Sequence, residues 1–100
     1  MKKIIIFCTA QGRERAADTF FNLTSEAIKT HSKDIKISNT RWDGFRATFQ
    51  NKPWIETKMI GNTIRGLHWD IAYIDNEIES VIVQNIIMPM GRGSEQVYYF

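Results

Sequence analysis

The sequence has little cysteine, almost no net charge and no long apolar run, and each shortage excludes something. A single cysteine, Cys8, allows no internal disulfide framework, and no Cys/His cluster shows zinc-ligand spacing. Cys8 closes the apolar run Ile4-Ile5-Ile6-Phe7-Cys8, where a small buried hydrophobe is the expected role. Neither His31 nor His68 is placed beside it by sequence to activate the thiol. A formal charge of +2 is too small to argue for nucleic-acid binding, which usually leaves a clearly basic patch. No apolar stretch approaches the ~20 residues of a membrane span. The start, Met1-Lys2-Lys3 and the isoleucines, looks like a secretory leader only superficially. Gln11, Gly12, Arg13 and Glu14 interrupt it too early. The expectation is a soluble, cytoplasmic protein with no membrane partner.

What is present is ordinary globular material. With 100 residues, 43% hydrophobic and 24% charged, the chain fits one domain, residues 1–100. So short a chain buries a modest core, and a partner or self-association would add to its stability.

Residues 3–10 form a β-branched run that suits a strand buried on both faces. From Arg13 the period changes. Ala16, Phe20, Leu23 and Ala27, flanked by Ala17, Phe21 and Ile28, make one wide apolar stripe on a helix ending near His31. Ile35–Ser38, Phe45–Gln50 and Trp54–Ile60 alternate, and Asn51-Lys52-Pro53 predicts the turn of a β-hairpin. Gly61 and Gly66 bracket a loop. Ile71–Ile74 predicts a second buried parallel strand, followed by Asp75-Asn76. Glu79–Met90 carries apolar residues at 82, 83, 86, 87 and 90, with Pro89 and Gly91 as a stop. Gln96–Phe100 is a short terminal strand. Strands alternating with helices predict an α/β domain, three-layer-like, with a parallel core sheet and an antiparallel hairpin insertion.

The segment Ile64-Arg65-Gly66-Leu67-His68-Trp69-Asp70-Ile71-Ala72-Tyr73-Ile74-Asp75 resembles the approach to the Walker B strand in the ATPase domain of phage terminase large subunits. The flanks agree in order. Ile4–Ala10 with Gln11–Ala16 resembles that family's second core strand and following helix. Phe45–Ile60 resembles its two-stranded insertion, Asn85–Met90 the helix after Walker B, and Gln96–Phe100 the next core strand. The resemblance implies a truncated P-loop NTPase-like fold whose second, third and fourth core strands are neighbours in one parallel sheet.

It also implies what this chain lacks. No G-x-x-x-x-G-K-[ST] loop occurs, so the phosphate cradle of the family is missing. Asp75 matches the metal-holding Walker B acid, but Asn76 stands where a glutamate would position the attacking water, and a neutral amide is no general base. Glu77 lies one residue beyond, directed elsewhere past a strand end. The resemblance therefore implies no catalytic residue, no cofactor and no resident metal. Asp75 and Asn76 remain as a Walker B relic, with Asp75 more simply a strand-end carboxylate capping backbone amides. Arg65, alone or with Arg41, Arg46 and Arg92, is a candidate anion contact, although a solvated loop charge is the plainer role. Trp42, Trp54 and Trp69 are expected in the core or at an interface rather than stacked on bases.

The final strand would have the place of the family's missing first strand open beside it, leaving an open edge. The expectation is a homodimer through Val97, Tyr98, Tyr99 and Phe100, or pairing with another phage or host protein. Three functions follow in descending order: a catalytically inactive, terminase-like phage protein acting through protein contacts; one fragment of a split terminase ATPase; and a small nucleic-acid-binding protein.

Overall fold

The apolar run near the N-terminus becomes strand β1 (Ile4–Cys8), in which all side chains after Ile4 are buried. The structure, a computed structural model, describes residues 2–31, 34–40, 44–61 and 67–100. The elements that follow are α1 (Arg13–His31), β2 (Ile35–Thr40), β3 (Gly44–Phe49), β4 (Lys52–Met59), β5 (Trp69–Ile74), α2 (Ser80–Ile82) and β6 (Gly91–Tyr99). Between α2 and β6 the chain stays helical through a π turn (Val83–Ile87) and a 3-10 turn (Met88–Met90).

The strands form one six-stranded sheet in the order β2-β3-β4-β1-β5-β6. β1 pairs in parallel with both β4 and β5, and β5 pairs in parallel with β6. β2, β3 and β4 form an antiparallel meander. The domain is thus α/β with a mixed sheet. β1, β5 and β6 are parallel neighbours, and the antiparallel part has three strands rather than two.

Alternation along the strands divides the core between two faces. Ile6 and Cys8 join Ala47 and Ile55 beneath Ala16 and Phe20 of α1, and the Phe20 ring stacks on Phe45 at 5.5 Å. Ile5 and Phe7 turn the other way, joining Trp69, Ala72 and Ile74 beneath Val83, Ile87 and Met90. Trp69 has no exposed surface, and its indole N–H donates to the Ile87 carbonyl at 2.9 Å. A large ring is buried there without leaving its polar atom unpaired. No helix among the described residues is long and apolar enough to cross a membrane.

Two local expectations are corrected. The hairpin turn is Gln50-Asn51, not Asn51-Lys52-Pro53. Both turn residues have positive φ, 52° and 66°, as a two-residue turn matching the strand twist requires. Lys52 and Pro53 already belong to β4. A register shift pairs Ala47 with Ile55 but Thr48 with Pro53, so Trp54 is the extra residue of a β-bulge beside the proline. The bulge turns Trp54 toward the same core as Ile55. The second helix is regular only over α2, because Pro89 has no N–H and its ring collides with the carbonyl four residues earlier. The Met88 N–H reaches back to Val83 instead.

Gln50 and Asn51 hold a conformation that Asn-Gly adopts more readily. The double change Gln50→Asn, Asn51→Gly is expected to raise stability by about 1 kcal/mol, read as a higher midpoint in thermal denaturation. An unchanged or lower midpoint would contradict the turn geometry.

Candidate functional site

The C-terminal ends of β1 and β5 lie side by side, the usual place for a ligand in an open α/β sheet. Here that place is built around Asp75. Its backbone N–H continues the sheet by donating to the Phe7 carbonyl at 2.9 Å. The side chain, with no exposed surface, turns toward the segment between β1 and α1.

Four donors meet the carboxylate. Oδ2 accepts the Thr9 N–H at 2.9 Å and the Thr9 hydroxyl at 2.8 Å. Oδ1 accepts Arg15 Nη2 at 2.8 Å and the Glu77 N–H at 3.0 Å. A carboxylate offers about four lone-pair sites, so its capacity is filled by the protein's own groups. Burial alone would push this carboxyl up. The Glu77 and Thr9 amides, the Thr9 hydroxyl and the Arg15 guanidinium outweigh that and hold it at about 2.

The connecting residues are shaped to this contact. The Gly12 N–H donates to the Thr9 carbonyl and hydroxyl, both at 3.1 Å. The Gly12 carbonyl then starts the ladder of α1 by accepting from Ala16 at 2.9 Å. A Cβ at Gly12 would fall 1.9 Å from Asp75 Oδ2, so only glycine lets the first turn of α1 approach the carboxylate. The positive end of the helix adds favourable charge there. Arg15 extends the cluster to the end of β6. Its Nη1 donates to the Phe100 carbonyl at 3.3 Å, and its guanidinium lies 5.7 Å from the centre of the Phe100 ring.

The other expected residues fall into separate places. The Asn76 N–H donates to the Phe100 carbonyl at 2.8 Å. Asn76 lines a pocket of about 460 Å³ with Ile78, Val83 and Tyr99, and Asp75 is not part of that lining. Glu77 is exposed and reaches Asp75 only through its backbone. Arg65, Arg41 and Trp42 lie outside the described residues. Arg46 does not join Arg92, since β4, β1 and β5 separate their strands. Arg46 instead binds the buried Glu56 at 2.7 Å, and Lys3 binds the other oxygen of Glu56 at 3.1 Å. Burial raises the Glu56 carboxyl, but the two cations bring it below its ordinary value. Trp69 is enclosed and Trp54 packs on the core, so neither is set out as a base-stacking platform.

Thr9, Gly12 and Arg15 were not singled out by the sequence. One signal for Arg15 is nevertheless there: Arg13 and Arg15 put positive charge into the first turn of a helix, where it is unfavourable unless an anion is close. Among the described residues no group of three or more His, Cys, Asp or Glu side chains is placed to hold a metal ion. A cleft of about 490 Å³ beside the first turn of α1 is lined by Cys8, Gln11, Arg13, Phe45 and Thr57, among others, and not by Asp75. Comparison with known protein families, with curated proteins and with solved structures gives no match to this chain. Chemically, the Asp75 cluster is suited to holding four chain segments together; a metal ion would first have to displace one of its donors.

Proposed function

We propose that this domain is a non-catalytic relative of the phage terminase ATPase core that acts by binding other proteins. The observation that carries the reading is the internal saturation of Asp75. A carboxylate that holds a nucleotide-bound metal must keep an oxygen available to the ion or its waters. Here both oxygens are taken by Thr9, Arg15 and the Glu77 amide. The neutral Asn76 that follows supplies no base. The parallel neighbours β1, β5 and β6, with Asp75 at the end of the middle strand, support kinship with that ATPase core. In this reading the sheet is retained as a scaffold, and the protein modulates DNA packaging or a host or rival factor by contact.

A second reading is favoured by one feature. β6 is an outer strand of the sheet, and the resembled family places its P-loop strand beside it, so another chain would supply that strand in a split ATPase.

Titration calorimetry with Mg-ATP and Mg-ADP decides between them. The first reading expects no binding heat up to ~1 mM nucleotide, the weak limit at which binding free energy is about −4 kcal/mol. Binding by this chain alone that disappears in Asp75→Asn overturns the non-catalytic reading. ATP hydrolysis that arises only when a P-loop-bearing chain is added establishes the second.

A further inference from the structure

We infer that two copies of this chain pair through β6, antiparallel about a two-fold axis at Tyr98, which joins their sheets into one. The inference rests on the reading above that the domain works through protein contacts, and it names the first of those contacts.

The argument begins with the direction of the backbone groups. The Phe100 N–H donates to the Ile74 carbonyl at 3.0 Å, and the Phe100 carbonyl accepts from Asn76 at 2.8 Å. Both groups of Phe100 therefore turn toward β5. Successive residues of a strand turn alternately to its two sides. Tyr98 and Gln96 thus also turn inward, while Val97 and Tyr99 direct their N–H and C=O groups outward, where the sheet has no further strand among the described residues. Nothing in this stretch protects the edge. From Gln96 to Phe100 there is no proline and no charge, the usual devices against strand pairing. The opposite edge, β2, carries Lys36 beside Ser38 and Asn39.

The side chains favour a second copy of the same strand. Tyr98 and Tyr99 remain 46% and 59% exposed, although the Tyr98 ring already stacks on Tyr73 at 5.1 Å. Val97 lies on the other face, partly buried against the core beneath the helical segment. With the axis at Tyr98, Val97 stands opposite the partner's Tyr99 as a hydrogen-bonded pair, and Tyr98 stands opposite the partner's Tyr98. The latter is a non-hydrogen-bonded pair, in which side chains come closest. Aromatic against β-branched and aromatic against aromatic are the favourable cross-strand pairings. The row of stacked tyrosines on one face then continues across the axis, and the partner's Tyr99 covers Val97 on the other.

The register follows from β6 itself. Its pairing with β5 is regular from Gln96 to Tyr99, and the register shifts before that, between Trp69 and Ile71 of β5. An axis at Tyr98 uses only the regular, uncharged part. An axis at Val97 would draw Glu95 into the pairing. An isologous contact of this kind closes on itself and gives a dimer, not a fibre. Addition of a few strand residues buries less than the ~800 Å² per partner of a standard stable interface. The dimer is accordingly concentration-dependent, with a Kd on the order of 10 μM.

Sedimentation velocity on the intact chain, combined with cysteine cross-linking, tests this. The wild type is expected to shift from monomer to dimer between ~1 μM and ~1 mM, a span that brackets that Kd. Tyr99→Pro removes an N–H that is directed away from β5, and it should raise the dimer Kd at least about tenfold. Because a proline can also perturb folding, Tyr98→Cys and Tyr99→Cys serve as the second measurement. Tyr98→Cys is expected to form an intermolecular disulfide on mild oxidation, since its two copies meet at the axis, and Tyr99→Cys is not. A wild type that stays monomeric at the highest concentration overturns the inference. A disulfide forming through Tyr99→Cys and not Tyr98→Cys also overturns it, by excluding the axis. Nucleotide calorimetry judges the non-catalytic reading independently of either result.

Discussion

Replacing Gly12 by alanine is expected to lower stability by about 3 kcal/mol, because the added methyl takes the place of Asp75 Oδ2, the oxygen that holds both Thr9 donors. The ideal Cβ would lie 1.9 Å from Asp75 Oδ2 and 2.8 Å from its carboxyl carbon, well inside van der Waals contact. The carboxylate has to retreat and surrender both Thr9 bonds, or the first turn of α1 has to move off the sheet. Neither is cheap for a side chain with no exposed surface. For a domain of this size the loss corresponds to a fall of roughly 15 °C in Tm. The cause can be separated from helix propensity, which by itself favours alanine over glycine. In an Asp75→Ala background the methyl meets no carboxylate, and Gly12→Ala should then cost less than about 1 kcal/mol. Equal costs in the two backgrounds, measured by chemical denaturation, would remove the steric account.

The second large effect belongs to Asp75→Asn. The amide keeps the shape of the side chain but brings its own N–H₂ against donors from Thr9 or Arg15. Breaking a buried ionic contact typically costs about 3–5 kcal/mol, and the half-exposed Arg15 regains water, which places this loss nearer 2–3 kcal/mol. The same group sets a pH dependence. Its folded value, about 2, lies below the ordinary carboxylate value of 3.8. A depressed carboxyl stabilises the fold fully above its unfolded value and loses that contribution as pH falls toward the folded one. The gap is worth about 2 kcal/mol, lost between about pH 4 and pH 2. Glu56 is also lowered, by Lys3 and Arg46, and adds to the same acid limb. Denaturation curves at stepped pH should therefore show wild-type stability falling steeply below about pH 4, and Asp75→Asn falling less. Parallel curves for the two proteins would mean that Asp75 does not carry this share.

The parts of the fold legible in the sequence are those where one period acts alone. β1 is an unbroken apolar run, β5 is one from Ile71 onward after Trp69-Asp70, and α1 carries a single wide stripe, so each was readable within a residue or two. The meander was harder because Pro53 mimics a turn residue. In the folded chain it sits in a bulged strand, where the missing N–H is tolerated, and Gln50-Asn51 turns the chain with no glycine to mark it. The irregular winding after α2 follows from Pro89, which sequence placed at a helix end without showing how the preceding turns adjust. The candidate site was half legible. Asp75 was readable as a strand-end carboxylate bonded to amides, and it is one. Its partners were not, because Thr9 and Arg15 stand more than half the chain away and no local pattern connects them. The outer position of β6 in the strand order is marked by no local residue pattern.

The Asp75 cluster also bears on the order of events during folding. Its bonds join residues 66 apart through Thr9 and 60 apart through Arg15, and Arg15 reaches Phe100 across 85. Contacts so distant in sequence are costly to close before the strands between them are in place. Like the pairing of β1 with β5, the cluster is expected to close late, and an Asp75→Ala change should then speed unfolding more than it slows folding in stopped-flow measurements. Interactions absent from the transition state slow unfolding while leaving the folding rate almost unchanged. A single buried carboxylate is therefore expected to give this domain persistence: a longer time for which the sheet stays closed once it has formed.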